Sequence, residues 1–241
     1  MRIFLAGASG VIGRRLTPLL VAAGHEVSGT TRSAAKSAEL KAAGVTPVVV
    51  DVFDAAALRD AVVGAHPDVV IHQLTDLPQV FDRERFKASL IANAKVRIEG
   101  TANLVAAARA AGARRLIAQS IAFSYADGPE PHRESDPLAS AEGDSPAAVS
   151  ARGVRALEEA VLNAPGIDGI VLRYGRLYGP GTWSETANGR APLHVDAAAH
   201  AALLAITRGS PGVYNIAEDD GAVSIDKARE ELGFDPAVRL T

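Results

Sequence analysis

The chain alternates short apolar runs with longer segments whose apolar residues recur at helical spacing. Residues 3–5 form a short apolar run, as in a strand buried on both sides of a sheet, and residues 68–72 (DVVIH) contain a second such run between Asp68 and His72. Leu16, Leu19 and Leu20 follow at helical intervals. Strands that alternate with helices in this way predict an α/β fold, with parallel strands joined by right-handed crossovers.

The same pattern gives bounds for the other elements, and glycines at 24, 44 and 112 mark helix ends. The strands that this pattern predicts are residues 3–5, 25–30, 46–50 and 68–72. The predicted helices follow residue 13 and cover 34–43, 86–112, 145–163, 197–207 and part of 224–236.

Three glycines spaced three apart follow the first strand directly. Gly7 allows a tight turn, Gly10 allows close approach of the backbone, and Gly13 allows a helix to pack closely on the strand. The amides at the start of that helix would face an anion. Glycine-rich turns also occur for purely structural reasons, which is the alternative. We predict a dinucleotide pyrophosphate site comprising Gly7, Ser9, Gly10, Val11, Ile12 and Gly13.

The end of the second strand indicates which cofactor is held. It continues into Thr30, Thr31, Arg32 and Ser33 with no carboxylate, whereas an NAD site places an acidic residue there. A guanidinium beside two hydroxyls suits a 2′-phosphate, because arginine offers paired, charged donors. We therefore predict NADP(H) in preference to NAD(H). A solvated surface arginine is the alternative.

Composition narrows the classes of partner. The chain has 241 residues, a net charge of −3 and no cysteine. The charge gives no reason to expect nucleic acid, and no apolar run suits a bilayer. No secretory leader is apparent, so we expect a cytoplasmic protein with a small-molecule substrate. His194 and His200 stand six residues apart without a ligand spacing, so no metal site is expected.

Three longer motifs carry a resemblance to a known family. The segments GASGVIG, EGTANLVAAARAAGARRLIAQS and IDGIVLRYGRLYGPG resemble the patterns of the NAD-dependent epimerase/dehydratase-like family, in the atypical and extended branches of the short-chain dehydrogenase/reductase superfamily. The resemblance implies a Rossmann-type, doubly wound parallel sheet. It also implies a cofactor domain over residues 1–176 and a small, shortened C-terminal lobe over residues 177–241.

The resemblance further implies contacts along the cofactor. Asp51 and Val52 would lie under the adenine, although Asp51 could instead cap a helix or close a turn. The backbone of Gln73, Leu74 and Thr75 would line the ribose and nicotinamide. Ser120, Tyr174 and Gly175 complete the set of implied cofactor contacts.

The tyrosine and lysine through which the family normally moves a proton are absent. None of the four tyrosines has a lysine four residues later. If Glu158 is matched to the acid of the family helix YxxxKxxxE, the pair falls at Ser150 and Val154. If Glu159 is matched instead, it falls at Ala151 and Arg155.

Two further family positions differ as well. Ile121 stands where a serine or threonine is usual, four residues before Tyr125. Arg97 stands where an asparagine is usual, with Asn93 one turn earlier. The candidate proton donors are therefore Tyr125 and Ser120, and the alternative is that both merely end a strand and begin a loop.

Two functions are consistent with these features. One is an NADP(H)-dependent oxidoreductase or isomerase acting on a small carbonyl or sugar-like substrate. The other is a catalytically silent, NmrA-like dinucleotide-binding redox sensor or regulator. A protein with either function could form a homodimer.

Overall fold

The computed structural model of the chain describes residues 1–78, 80–82 and 84–240. Its strands are β1 Arg2–Ala6, β2 Glu26–Thr31, β3 Thr46–Val49, β4 Val69–His72, β5 Arg115–Ile121, β6 Asp168–Tyr174, β7 Arg176–Tyr178, β8 Pro192–His194 and β9 Gly212–Ile216. Seven of them form one parallel sheet in the order β3-β2-β1-β4-β5-β6-β9. The predicted doubly wound α/β sheet is confirmed.

The helices cover both faces of this sheet. They are α1 Val11–Ala22, α2 Ser37–Ala42, α3 Ala55–Ala65, α4 Phe86–Lys95, α5 Thr101–Ala110, α6 Pro146–Leu162 and α7 Val195–Leu204. Helices α1 and α7 pack together on one face, and α3, α5 and α6 pack on the other. Because both faces are covered, β1 and β4 are buried along almost their whole length, which explains their apolar sequences.

The strand order reverses between β1 and β4. From β1 the chain first builds outward through β2 and β3, then returns to place β4 on the other side of β1. In open α/β sheets, ligands bind at such a switch point, beyond the carboxyl ends of the strands. The glycine-rich turn after β1 lies there.

Two helical features differ from the sequence-based expectations. The segment expected to be one helix over 86–112 is divided by a π-helical turn, Val96–Gly100, between α4 and α5. Helix α3 was not predicted; it begins after Asp54, whose carboxylate accepts the amide N–H of Ala57 at 3.0 Å. That capping aspartate is the signal that could have located it.

Residues beyond 176 contribute to the main sheet as well as to a smaller one. Strand β9 is the seventh strand of the main sheet, and α7 covers one of its faces. Strands β7 and β8 form a separate two-stranded parallel sheet. The division into domains over 1–176 and 177–241 stays a prediction.

Candidate functional site

The turn after β1 has no room for side chains at its glycine positions. Gly7 has φ 94°, and a Cβ there would lie 2.8 Å from the carbonyl oxygen of Gln73. A Cβ on Gly13 would lie only 2.2 Å from the carbonyl oxygen of Gly7. Helix α1 begins at Val11 after Gly10, with no side chain capping it. Its first amides can therefore donate to an anion, and the residues present fit a dinucleotide pyrophosphate.

The two threonines at the end of β2 hold this turn in place. Thr30 Oγ1 accepts the amide N–H of Gly7 at 2.9 Å. Thr31 Oγ1 accepts from Ser9 Oγ at 3.3 Å and from the amide N–H of Ser33 at 3.1 Å. The hydroxyls that the sequence places beside Arg32 are thus engaged in forming the glycine turn.

Arg32 pairs with an acid that the sequence did not indicate. Its Nη2 lies 3.1 Å from Oδ1 of Asp76, in the segment after β4. The arginine side chain is 62% exposed, so the ion pair is open to solvent. The ion pair joins the segment after β2 to the segment after β4, across the end of β1, which lies between them in the sheet. An anion that bound Arg32 would compete with Asp76 for the guanidinium.

At the end of β3, the turn role considered for Asp51 is present. Asp51 Oδ1 accepts the amide N–H of Phe53 at 3.0 Å. Val52 is buried against the π-helical turn before α5, where a Cβ on Gly100 would lie 3.1 Å from its Cγ1. The carbonyl of Val52 accepts from Asn103 Nδ2 at 3.0 Å. These contacts fix the edge on which an adenine would lie.

The segment after β4 is fixed by buried side chains. The amide N–H of Leu74 donates to Nδ1 of His72 at 3.1 Å, and His72 Nε2 lies 2.9 Å from Thr101 Oγ1. Gln73 is buried and donates from Nε2 to the hydroxyl of Tyr174 at 3.3 Å. Its Oε1 has no hydrogen-bond partner among the described residues. Residues 73–75 therefore have a fixed backbone beside the glycine turn.

Tyr174 and Gly175 lie in a closely packed part of the core. The Tyr174 hydroxyl donates to the carbonyl of Ala198 in α7 at 3.1 Å, and burial raises the pKa of Tyr174. A Cβ on Gly175 would lie 2.2 Å from the carbonyl oxygen of Ala191. This geometry gives Tyr174 a packing role. Its contact with a cofactor stays a prediction.

Ser120 belongs to a buried ion-pair network. Its Oγ donates to Oε1 of Glu158 at 2.7 Å. The guanidinium of Arg173 grips the same carboxylate with two hydrogen bonds, from Nε to Oε1 at 2.9 Å and from Nη2 to Oε2 at 2.7 Å. All three residues are buried. The charges therefore cancel within a fully bonded pair, which joins β5, β6 and α6.

Tyr125 extends the same network. Its hydroxyl donates to Oδ1 of Asn215 at 2.7 Å and accepts from Nη1 of Arg173 at 2.8 Å. Its ring stacks on His132 at a centroid distance of 4.9 Å. Burial raises the pKa of Tyr125. Both candidate proton donors are held by protein partners, and their role in proton transfer stays a prediction.

The positions matched to the family's tyrosine and lysine lie on α6, opposite the π-helical turn. Arg97 extends from that turn, and its Nη1 donates to Oγ of Ser150 at 3.4 Å. Arg97 is buried, and burial lowers its pKa to about 10. Val154 is buried as well. In the register that matches Glu158, a guanidinium and a hydroxyl therefore meet at the position that the resemblance assigns to the tyrosine.

An exposed aromatic group stands at the same edge of the sheet. Phe81 and Phe86 have ring centroids 5.4 Å apart, and Trp183 lies 5.5 Å from Phe81. The indole N–H of Trp183 donates to the carbonyl of Pro78 at 2.8 Å, which joins the segment after β4 to the segment after β7. Phe81 and Trp183 are about half exposed. Sequence reasoning missed this group, because its members are far apart along the chain.

In the part of the chain that the structure describes, no three His, Asp or Glu side chains are grouped so as to hold a metal ion. None of the helices in these ranges has the length and apolar character that crossing a membrane requires.

Comparison with known proteins identifies relatives over most of the chain. It is 40% identical over 242 residues to the 3-diazoavenalumate denitrifying reductase of a Streptomyces species, covering 92% of this chain and 77% of that protein. It is 32% identical over 180 residues to the dTDP-4-dehydrorhamnose reductase of Streptomyces griseus, covering 75% of this chain and 51% of that protein.

Solved structures show the same fold at lower identity. The UDP-glucose 4-epimerase of Thermotoga maritima superposes with a TM-score of 0.78 at 18% identity, covering 99% of this chain and 94% of that one. The dTDP-glucose 4,6-dehydratase DesIV of Streptomyces venezuelae superposes with a TM-score of 0.77 at 22% identity, covering 99% and 92%. Residues 3–195 match the model of the NAD dependent epimerase/dehydratase family, and the chain belongs to that family.

Proposed function

We propose that the chain is an NADP(H)-dependent reductase whose acceptor needs no proton from a tyrosine. One observation carries this proposal: the glycine turn fits a pyrophosphate, whereas none of the four tyrosines is followed four residues later by a lysine. When bound, the cofactor supplies hydride. The chain's own residues hold the cofactor at the switch point, through the glycine turn and the first amides of α1.

The chemistry of the acceptor decides whether an acid is required. Hydride addition to a carbonyl carbon leaves an alkoxide, which a tyrosine normally protonates. Hydride that replaces N₂ on a diazonium carbon forms a C–H bond, and the electron pair of the broken C–N bond leaves with N₂. That reaction consumes no proton. The 40% identical relative is named as a denitrifying reductase of a diazo carboxylate, which supports this class of acceptor.

The aromatic group at the mouth of the site supports an aromatic acceptor. Phe81 and Trp183 offer half-exposed rings at the edge where the strands end. Aromatic rings favour offset or edge contacts of this kind, at centroid separations of about 4.5–7 Å. We therefore propose an aromatic diazo carboxylate as the substrate class.

Transfer of a labelled hydride tests this function. The protein is incubated with NADPH deuterated at C4, in each stereochemistry, and with 4-diazobenzoate. We expect deuterium on the ring carbon that lost nitrogen, with one NADP⁺ and one N₂ formed per product. Because diazonium ions also react directly with NADPH, a Gly13→Ala variant provides the background rate.

A carbonyl panel and a binding measurement complete the test. Deuterium in a carbonyl product, with none from the diazo compound, would contradict the proposed acceptor. Saturable NADP binding with no labelled product would favour the second candidate, a silent dinucleotide-binding regulator. The bonding of Ser120 to Glu158 and of Tyr125 to Asn215 supports that candidate, because both hydroxyls have structural partners.

The cofactor preference rests on Arg32. Arg32→Ala removes a charge-assisted contact to a 2′-phosphate, so we expect NADP affinity to fall by about 1.5–3 kcal/mol while NAD affinity is unchanged. Arg114→Ala is the matched control, because Arg114 is an exposed arginine beside Asp68, at the opposite edge of the sheet. Titration of both cofactors measures the effect. Equal losses for NADP and NAD in Arg32→Ala would contradict the preference.

A further inference from the structure

Two arginines are buried beside a single carboxylate. Glu158 accepts two hydrogen bonds from Arg173 and one from Ser120, so its charge is already matched. Arg97 packs nearby but forms no hydrogen bond with the Glu158 carboxylate. The buried centre therefore holds two guanidiniums and one carboxylate, and its net charge is +1 when both arginines are protonated.

The guanidinium of Arg97 has almost no protein partner. Within the described residues, its one hydrogen bond is the 3.4 Å contact to Ser150, and none of the ion pairs involves it. It is only 6% exposed, so water cannot compensate it fully. None of its nitrogens is among the fully enclosed polar atoms of the described residues that lack a partner, so the donors without a protein partner lie where a ligand could reach them.

The other titratable side chain beside Arg97 is neutral. His72 accepts the amide N–H of Leu74 at Nδ1, which requires that nitrogen to be unprotonated. Burial and the charge of Arg97 lower the pKa of His72 to about 4. His72 therefore adds no charge near neutral pH, and the excess positive charge remains with Arg97.

The chain is built to bring Arg97 close to α6. Gly153 lacks a side chain where α6 meets α4, and a Cβ there would lie 3.0 Å from the Cα of Ala94 and 3.3 Å from the Cδ of Arg97. One turn before Arg97, Asn93 Oδ1 accepts the amide N–H of Asp76 at 3.0 Å, in the segment beyond β4. Arg97 therefore lies within one helical turn of the edge where ligands bind. π-helical turns such as its own are frequent at functional sites.

We propose that Arg97 and Ser150 form an anion site that binds the carboxylate of the acceptor. The guanidinium donates paired, charge-assisted hydrogen bonds to both oxygens, and the serine hydroxyl donates a third. The bound carboxylate brings the buried centre to neutrality. The identity of the acceptor rests on the proposed reductase function, whereas the anion site is tested by binding alone.

Paired ligands that differ in charge test this site. Calorimetric titration in the presence of NADP⁺ compares cinnamate with cinnamamide, which has the same ring and no charge. We expect the parent protein to bind cinnamate at least tenfold more tightly. In Arg97→Met we expect the affinity for cinnamate to fall by about ten- to a hundredfold and the affinity for cinnamamide to stay unchanged. The cinnamate affinity of Arg97→Lys should lie between those of the parent and Arg97→Met. Lys95→Met is the control, because Lys95 is an exposed cation at the end of α4, two residues before Arg97, and is paired with Glu99.

Thermal unfolding distinguishes a ligand site from a structural role. Removal of an uncompensated buried charge is neutral or stabilising, so Arg97→Met should melt at or above the parent temperature. A clear drop in melting temperature would show that the fold needs Arg97 and would overturn the proposal. Equal affinities of the parent for the two ligands, no binding of cinnamate, or unchanged cinnamate affinity in Arg97→Met would also overturn it.

The experiments distinguish failure of the reductase proposal from failure of the anion-site proposal. No transfer of deuterium, together with cinnamate binding that depends on Arg97, would remove the reductase and leave the anion site. Transfer of deuterium, together with cinnamate binding that Arg97→Met does not change, would remove the anion site alone.

Discussion

The carboxyl ends of β1 and β5 lie at the same edge of the sheet and differ in how they use their polar groups. After β1, the backbone amides at the start of α1 point outward, and side chains such as Thr30 serve to shape the turn. Near the end of β5, the hydroxyl of Ser120 points inward and donates to Glu158. The glycine turn and the ion-pair network therefore depend on different groups, main-chain amides in the first and side chains in the second.

The two regions differ because one would bind its ligand through main-chain atoms and the other depends on side chains. A pyrophosphate is held by main-chain N–H groups, so three glycines and a helix start are enough to specify its site. Proton transfer needs particular side chains at particular pKa values, and each substitution removes one of them. None of the tyrosines of this chain is followed four residues later by a lysine, although helix α6, which the family resemblance matches to the helix of that pair, is formed.

Substitution in the glycine turn should have the largest effect on binding. In Gly13→Ala the new Cβ would lie 2.2 Å from the carbonyl oxygen of Gly7, a contact that forces the turn open. We expect saturable binding of NADP and NAD to be lost together. Gly64→Ala, in open space on α3, is the control and should bind both cofactors as the parent does. Retained binding by Gly13→Ala would contradict the pyrophosphate site.

On the β5 side, the largest effect should be on stability. Glu158→Gln leaves Arg173 buried without its full charge partner, so we expect the free energy of unfolding to fall by about 3–5 kcal/mol. Denaturant titration measures it, and Glu159→Gln, on the exposed side of α6, is the control. If the two variants are equally stable, the ion-pair network does not hold β5, β6 and α6 together.

His72 predicts how stability changes with pH. Its folded pKa of about 4 lies below the ordinary value of 6.5, so the unfolded chain binds the proton first as pH falls. This residue should therefore destabilise the protein progressively below pH 6.5, by roughly 2 kcal/mol at pH 5. Unfolding is compared at pH 7.5 and pH 5 in the parent and in His72→Gln. A drop of equal size in both proteins would show that His72 is not the cause.

The smallest effect is expected at Asp76. Its pair with Arg32 is solvent-exposed, so Asp76→Asn should change the free energy of unfolding by less than about 1 kcal/mol. Because the carboxylate no longer competes for Arg32, NADP should bind severalfold more tightly while NAD changes little. Asp60→Asn, exposed on α3, is the control. Weaker NADP binding in Asp76→Asn would show that Asp76 assists the cofactor.

Much of the fold could be predicted from the sequence because its signals are local. The apolar runs of β1 and β4, the glycine spacing and the family motifs all lie within short segments, and the parallel sheet and the family are confirmed. Helix α3 was missed, although Asp54 caps it. The cofactor and catalytic residues remain predictions.

By itself, the sequence determined the alternation of most strands and helices, the glycine turn and the family motifs, because each depends on residues close together in the chain. Only the tertiary structure decided which charges meet. Arg32 and Asp76 are 44 residues apart, and Ser120 and Glu158 are 38 apart. Burial likewise arises only when α4 packs against α6, which is why Arg97, a mere departure from the family pattern in the sequence, becomes an unpaired buried charge in the fold.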